Sequence, residues 1–226
     1  MRRLTTTLAV AVTSLVAVTG AGMIGAAFVG PPTTVPPPQP PAAAAPTTTG
    51  LTPPDGAGGA GGPDSLSRTG LSASDPTSIT IDRIGVQARV LALGLQDDGT
   101  VEVPPLEQAM DAGWYKLGAS PGEIGNAVIM GHVDSAKIGP AVFFRLGELR
   151  PGDAITVRRV DRIEATFRVD GVKTYPKDAF PTQLVYGPSD TASLRVITCG
   201  GVFDQQKRSY PDNVIVFATL VGSRQT

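Results

Sequence analysis

The chain of 226 residues has one cysteine, Cys199, and one histidine, His132. A single cysteine excludes an internal disulfide, so Cys199 is a partner for another chain, a reactive thiol or an inert buried residue. A surplus of charge is missing too: 19 Lys and Arg stand against 20 Asp and Glu, a net charge of -1. That balance provides no basic patch suited to nucleic acid. No phosphate-cradling loop, metal-ligand spacing or long amphipathic helix is found, so no cofactor or metal is expected. Asp97-Asp98-Gly99 reads as a turn, because calcium would need further carboxylates.

Three segments divide the chain. Arg2 and Arg3 precede an uncharged, Val-, Ala- and Leu-rich stretch from Leu4 to Val29, long enough to cross about 30 Å of hydrocarbon as a helix. Residues 1–30 are therefore expected to be a signal-anchor that leaves the N-terminus cytoplasmic and exports the rest. Small residues at Gly25-Ala26-Ala27 keep cleavage by a signal peptidase open as the alternative. Residues 31–76, with Pro36-Pro37-Pro38-Gln39-Pro40-Pro41 and the glycine run from Gly56 to Gly62, bury too little apolar surface to order and read as a disordered tether. Residues 77–222 are expected to form one domain, monomeric by default.

That domain reads as mostly β. Runs rich in β-branched residues recur at 78–84, 88–95, 126–130, 154–160, 165–172, 193–198 and 213–221, separated by turn residues such as Pro151-Gly152-Asp153. Charges alternating from Arg158 to Asp170 suggest a solvated hairpin, and Trp114 and Tyr115 are expected in the core. Short helical turns are expected at 106–111 and 140–145. Seven or eight short strands suggest a sandwich or a barrel, and a barrel closes its own edges.

Both rare residues stand where an apolar run breaks into a loop: Ala127-Val128-Ile129-Met130-Gly131-His132 and Leu194-Arg195-Val196-Ile197-Thr198-Cys199-Gly200-Gly201. Antiparallel pairing of the last two runs is expected to set Arg208 opposite Cys199, where a guanidinium suits an oxyanion or an incoming carbonyl. A solvated loop charge beside Lys207 is the alternative. Val214 to Ala218 are apolar on both faces, which predicts a buried strand.

Gly131-His132-Val133-Asp134, Ile197-Thr198-Cys199-Gly200-Gly201 and Arg208-Ser209-Tyr210-Pro211-Asp212-Asn213 together resemble the motifs of a sortase. The Cys-Gly-Gly and Asp-Asn variants are most similar to the class F group of actinobacteria. The resemblance implies an all-β, closed barrel of about eight strands with short helices, held at the cell membrane by a single pass with the catalytic domain outside. It implies a transpeptidase that cleaves a Leu-Pro-x-Thr-Gly sorting signal and passes the protein to an amine on a peptidoglycan precursor or a pilin. Carried over, Cys199 is the nucleophile, His132 the general acid and base, and Arg208 the oxyanion or substrate ligand. Thr198 is a supporting residue near the oxyanion or simply a strand residue, and Asp134 orients the His132 ring or caps the next turn.

Two other readings use the same residues. A non-catalytic β-domain displayed on a stalk requires Cys199 to be buried and inert. An L,D-transpeptidase also needs Cys and His, but its arginine follows two residues after the cysteine, where this chain has Gly201.

Overall fold

The computed structural model describes residues 36–40 and 63–226. The expected signal-anchor at 1–30 and most of the expected tether lie outside the described residues. Among the described residues no helix is long and apolar enough to cross a membrane.

In chain order the elements are α1 (Pro63–Thr69), β1 (Pro76–Ile81), β2 (Val86–Leu93), β3 (Ala112–Tyr115), β4 (Gly125–Met130), β5 (Asp134–Ser135), β6 (Gly139–Pro140), β7 (Ala154–Arg159), β8 (Ile163–Pro176), α2 (Thr182–Tyr186), β9 (Ala192–Gly200) and β10 (Asp212–Gln225). Eight strands close a barrel in the order β1-β2-β3-β4-β9-β10-β8-β7, and β5 and β6 form a separate ribbon. Closure leaves the eight strands without a free sheet edge. Two neighbouring pairs, β2 with β3 and β4 with β9, run parallel, while the other barrel pairs are antiparallel.

The sequence pattern explains which residues face inward. In β1 and β7 every second residue is apolar, so Ile79, Ile81, Ile155 and Val157 fill the barrel while Ser78, Thr80 and Arg158 keep contact with solvent. Phe143, Phe167, Leu194 and Leu220 are fully buried in the same interior. Burying each such side chain contributes roughly 1.5–3 kcal/mol. Along β4, β9 and β10 the alternation disappears, because the outer face is covered as well: Val128, Met130, Ile197 and Ile215 pack under Val185 of α2, flanked by Phe180 and Tyr186. Strands buried on both faces read as continuous apolar runs, as expected for Val214 to Ala218.

The domain begins earlier than the sequence suggests. Far from being part of a tether, α1 packs on β9 and β10, and Leu66 and Leu71 lie against the core. The Leu71 amide donates to Gly122 at 2.7 Å. The buried guanidinium of Arg159 donates to the carbonyls of Ser72 (2.6 Å) and Pro121 (2.8 Å) and pairs with Asp161. Upstream, Pro37 is buried and the carbonyl of Pro38 lies against Gly147. Gln39 approaches Thr174 at 3.5 Å. At the other end β10 continues to Gln225, beyond the expected limit at residue 222.

The helical turn expected at 106–111 is a single 3-10 turn at Leu106–Gln108, and the one expected at 140–145 is displaced to Leu146–Glu148. Trp114 is buried and its indole donates to the Ala119 carbonyl. Asp97-Asp98-Gly99 is a turn in which Asp98 accepts from the Thr100 amide. β7 and β8 form the expected hairpin, although Arg159 within it points inward.

Candidate active site

Parallel pairing of β4 and β9 brings the two rare residues to one end of the barrel. The ladder runs from Gly125 opposite Ala192 to Met130 opposite Ile197. His132 lies two residues past Met130, and Cys199 two residues past Ile197. Two further bonds extend the grip: the Gly131 amide donates to Ile197 at 3.1 Å, and the Thr198 hydroxyl donates to the Gly131 carbonyl at 2.9 Å. Gly131 has no room for a side chain, since a Cβ there would lie 2.6 Å from Val142 and 2.7 Å from Phe143.

Beyond Gly131 the chain doubles back as a hairpin, with Phe143 donating to His132 (3.0 Å) and Ala141 to Val133 (3.0 Å). The His132 ring Nε2 lies 2.6 Å from the Pro104 carbonyl. A carbonyl only accepts, so Nε2 carries the proton and Nδ1 is left for exchange with other groups.

Cys199 is partly exposed and unpaired, not sealed in the core. Together with His132, Thr198, Gly131 and Asn213 it lines a cavity of about 290 Å³ whose apolar walls include Val101, Val103, Phe180 and Tyr186. Such a groove suits an extended, largely apolar peptide laid across the thiol. A second cleft of about 490 Å³ shares Val103 and His132 with the first and is lined besides by Leu93, Gln96, Glu102, Pro104, Pro105 and Leu106. Glu102 is fixed there by the Gly94 amide at 2.6 Å.

Arg208 does not stand opposite Cys199. In the β9–β10 ladder that position belongs to Asn213, and Arg208 sits in the exposed connecting loop. The ladder ends at the pair Gly200 and Asp212, so Arg208 belongs to the loop beyond the register that pairs Asn213 with Cys199. Arg208 lines neither cleft, makes no hydrogen bond or ion pair with a described residue, and has φ +50°. Its left-handed backbone follows a turn in which Asp204 accepts from the amides of Gln206 (2.9 Å) and Lys207 (3.0 Å). At the start of this loop, Gly201 has φ +86°, and a Cβ there would lie 2.7 Å from the Asp212 carboxylate.

Asp134 does not meet His132 in a hydrogen bond. Its carboxylate accepts from the Tyr210 hydroxyl. Burial, with the Asp134 carboxylate second, pushes the Tyr210 phenol above its ordinary range. Tyr210 and Asn213 stand in the third sequence motif with no role assigned to them there, and Pro104 belongs to no motif. Tyr210 carried a signal, an aromatic two residues after the arginine, whereas Pro104 meets His132 only through a main-chain oxygen.

Residues 79–221 match the family model described as the Sortase domain. Among solved structures, the chain is similar to sortase A from Corynebacterium diphtheriae (19% identity, 67% of this chain and 62% of that chain, TM-score 0.50). It is similar also to sortase A from Listeria monocytogenes (15% identity, 69% and 92%, TM-score 0.50). A Sortase D5 transpeptidase from Clostridium perfringens aligns at 26% identity over 66% of this chain and 79% of that chain, with a TM-score of 0.48. No curated protein matches the chain.

Proposed function

Because the chain belongs to the sortase family, we propose that it is a class F cell-envelope enzyme that cuts an LPXTG-type sorting signal between Thr and Gly and transfers the acyl fragment to an amine. The observation that carries this reading is the parallel β4–β9 pairing, which delivers the single imidazole and the single thiol to one groove.

In the first half-reaction the Cys199 sulfur attacks the threonine carbonyl while its proton passes to His132, which holds it for the leaving group. The peptide C–N bond breaks, His132 protonates the departing glycine amine, and a thioester holds the acyl group. In the second, His132 takes the proton of an incoming amine as that amine attacks the thioester, and the thiol is regenerated. One group serves both directions because the steps mirror each other. Arg208 is assigned the carbonyl oxygen as negative charge develops on it. The Thr198 hydroxyl is committed to Gly131, so its role is to hold the histidine loop.

Two clefts meeting at one histidine favour transfer over simple hydrolysis. The apolar groove at Cys199 suits the sorting signal, and the cleft with the Glu102 carboxylate suits a cationic amine. The acceptor is assigned as an amine of a peptidoglycan precursor or a pilin. The work site is outside the cell membrane, with residues 1–30 as the single-pass anchor.

Mass spectrometry of the purified protein with a Leu-Pro-Ala-Thr-Gly peptide, with and without hydroxylamine, tests the proposal. Cleavage between Thr and Gly, an acyl adduct on Cys199 and a hydroxamate product are expected. An intact peptide beside a Cys199 that resists alkylation in the folded protein would instead favour a non-catalytic display domain.

A further inference from the structure

Two loops leave the active end of the barrel, one carrying His132 and the other Arg208. A single side-chain hydrogen bond joins them: Tyr210 donates its hydroxyl to Asp134. Asp134 lies two residues past His132, at the start of β5, where it pairs with Pro140. Tyr210 lies two residues past Arg208 and is 8% exposed. Between Arg208 and Tyr210 stands Ser209, whose amide and carbonyl both pair with Asp204 across the loop. The Tyr210 ring packs edge-on against Phe203 of the same loop, with centroids 5.1 Å apart. Lys177 reaches the Ser209 hydroxyl at 3.3 Å from the turn after β8.

We propose that Tyr210 and Asp134 are positioning residues, a latch that fixes the Arg208 loop against the His132 loop so that guanidinium and imidazole address the two ends of the same scissile bond, its carbonyl oxygen and its amine nitrogen. The inference rests on the roles given above to Cys199, His132 and Arg208. Its physical ground is that Arg208 has no partner of its own among the described residues, so its placement depends on the loop. That loop is tied to the histidine side through Tyr210. The phenol stays protonated at neutral pH, being held above its ordinary range by burial and by Asp134, and so remains a donor. Asp134, as its acceptor, is kept from competing for His132. A misplacement of about 1 Å costs on the order of 100-fold in rate where reacting groups must be aligned.

The experiment compares the wild type with Tyr210→Phe, Asp134→Asn and the double variant, using the same peptide and also hydrogen exchange without peptide. Tyr210→Phe keeps the ring on Phe203 and removes only the donor. Expected are a fall in kcat of about 10- to 100-fold, KM within about 3-fold, Tm within a few degrees, and a double variant no slower than the slower single variant. Amides of residues 201–211 should exchange faster in Tyr210→Phe, with β4 and β9 unchanged. A kcat within 2-fold of wild type, additive losses in the double variant, or a collapse of Tm that accounts for the lost activity would each overturn the latch. If the wild type cleaves no peptide, the catalytic reading fails, while unchanged exchange in the loop of Tyr210→Phe would separately sink the latch.

Discussion

The Thr198 hydroxyl donates to the carbonyl of Gly131 at 2.9 Å, a bond between the residue before Cys199 and the residue before His132. With the Gly131 amide donating to Ile197, both polar atoms of the Gly131 backbone are held by β9. The spacing between thiol and imidazole is therefore set by backbone rather than by a direct side-chain bond.

Thr198→Val keeps shape and removes the donor, leaving a carbonyl short of a partner in a partly buried setting. A loss of about 1–3 kcal/mol in stability is expected, with kcat/KM falling about 10-fold or more. Thr198→Ser should restore most of both. Denaturant melts and peptide kinetics on the two variants check this. Equal activity in Thr198→Val and wild type would show that the ladder alone sets the spacing.

Arg208 tests whether function holds a side chain in a strained backbone. Its φ of +50° costs a non-glycine residue of order 1 kcal/mol, which glycine avoids. Arg208→Gly is expected to leave Tm unchanged or raised while cutting kcat/KM by about 100-fold or more. Arg208→Lys should also lose most activity, because an ammonium lacks the planar fork of donors. Near-normal turnover in either variant would return Arg208 to the solvated loop charge that its exposure also fits.

The barrel was legible because its strands obey simple rules. Ile79, Ile81, Ile155 and Val157 alternate, and Val214 to Ala218 do not because α2 covers their outer face. β3 was missed because Ala112-Gly113-Trp114-Tyr115 has neither alternation nor β-branched residues, and its strand state comes from pairing with β2 and β4. The meeting of Cys199 and His132 follows from parallel pairing of strands distant in sequence, which no local pattern encodes. The expected place of Arg208 failed for a related reason: β9 and β10 pair as anticipated, but the register stops at Gly200 and Asp212. The N-terminal arm was misread because Pro- and Gly-rich composition conceals two well-placed leucines, Leu66 and Leu71.

Those leucines make the domain boundary measurable. A chain starting at Pro76 loses α1, both leucines and the Ser72 carbonyl that Arg159 binds at 2.6 Å. Partial burial of two leucines is worth about 2–3 kcal/mol, or roughly 5–10 °C in Tm for a domain of this size. A chain starting at Pro63 keeps all three and should melt above the shorter one by that margin. Equal melting temperatures would restore the boundary near Thr77.

Arg159 also predicts a response to acid. Its side chain is fully buried and paired with Asp161 at 2.6 Å, while Asp161 keeps 32% of its side-chain exposure. The hydrogen bond from Arg159 holds the Asp161 carboxyl below its ordinary value, aided by the Ile163 amide. A carboxyl with a depressed folded-state pKa contributes stability above its unfolded value of about 3.9, and that contribution is lost as pH falls through the folded value. Partial exposure screens the pair and keeps the effect modest. Melting wild type and Asp161→Asn between pH 7 and pH 2 isolates the pair, because the variant cannot ionise there. The wild type should be the more stable protein at pH 7, with a gap that is constant down to about pH 5 and narrows below about pH 4. A gap of the same size at pH 2 would mean that the Asp161 charge contributes nothing, and that Arg159 is held by the carbonyls of Ser72 and Pro121 alone.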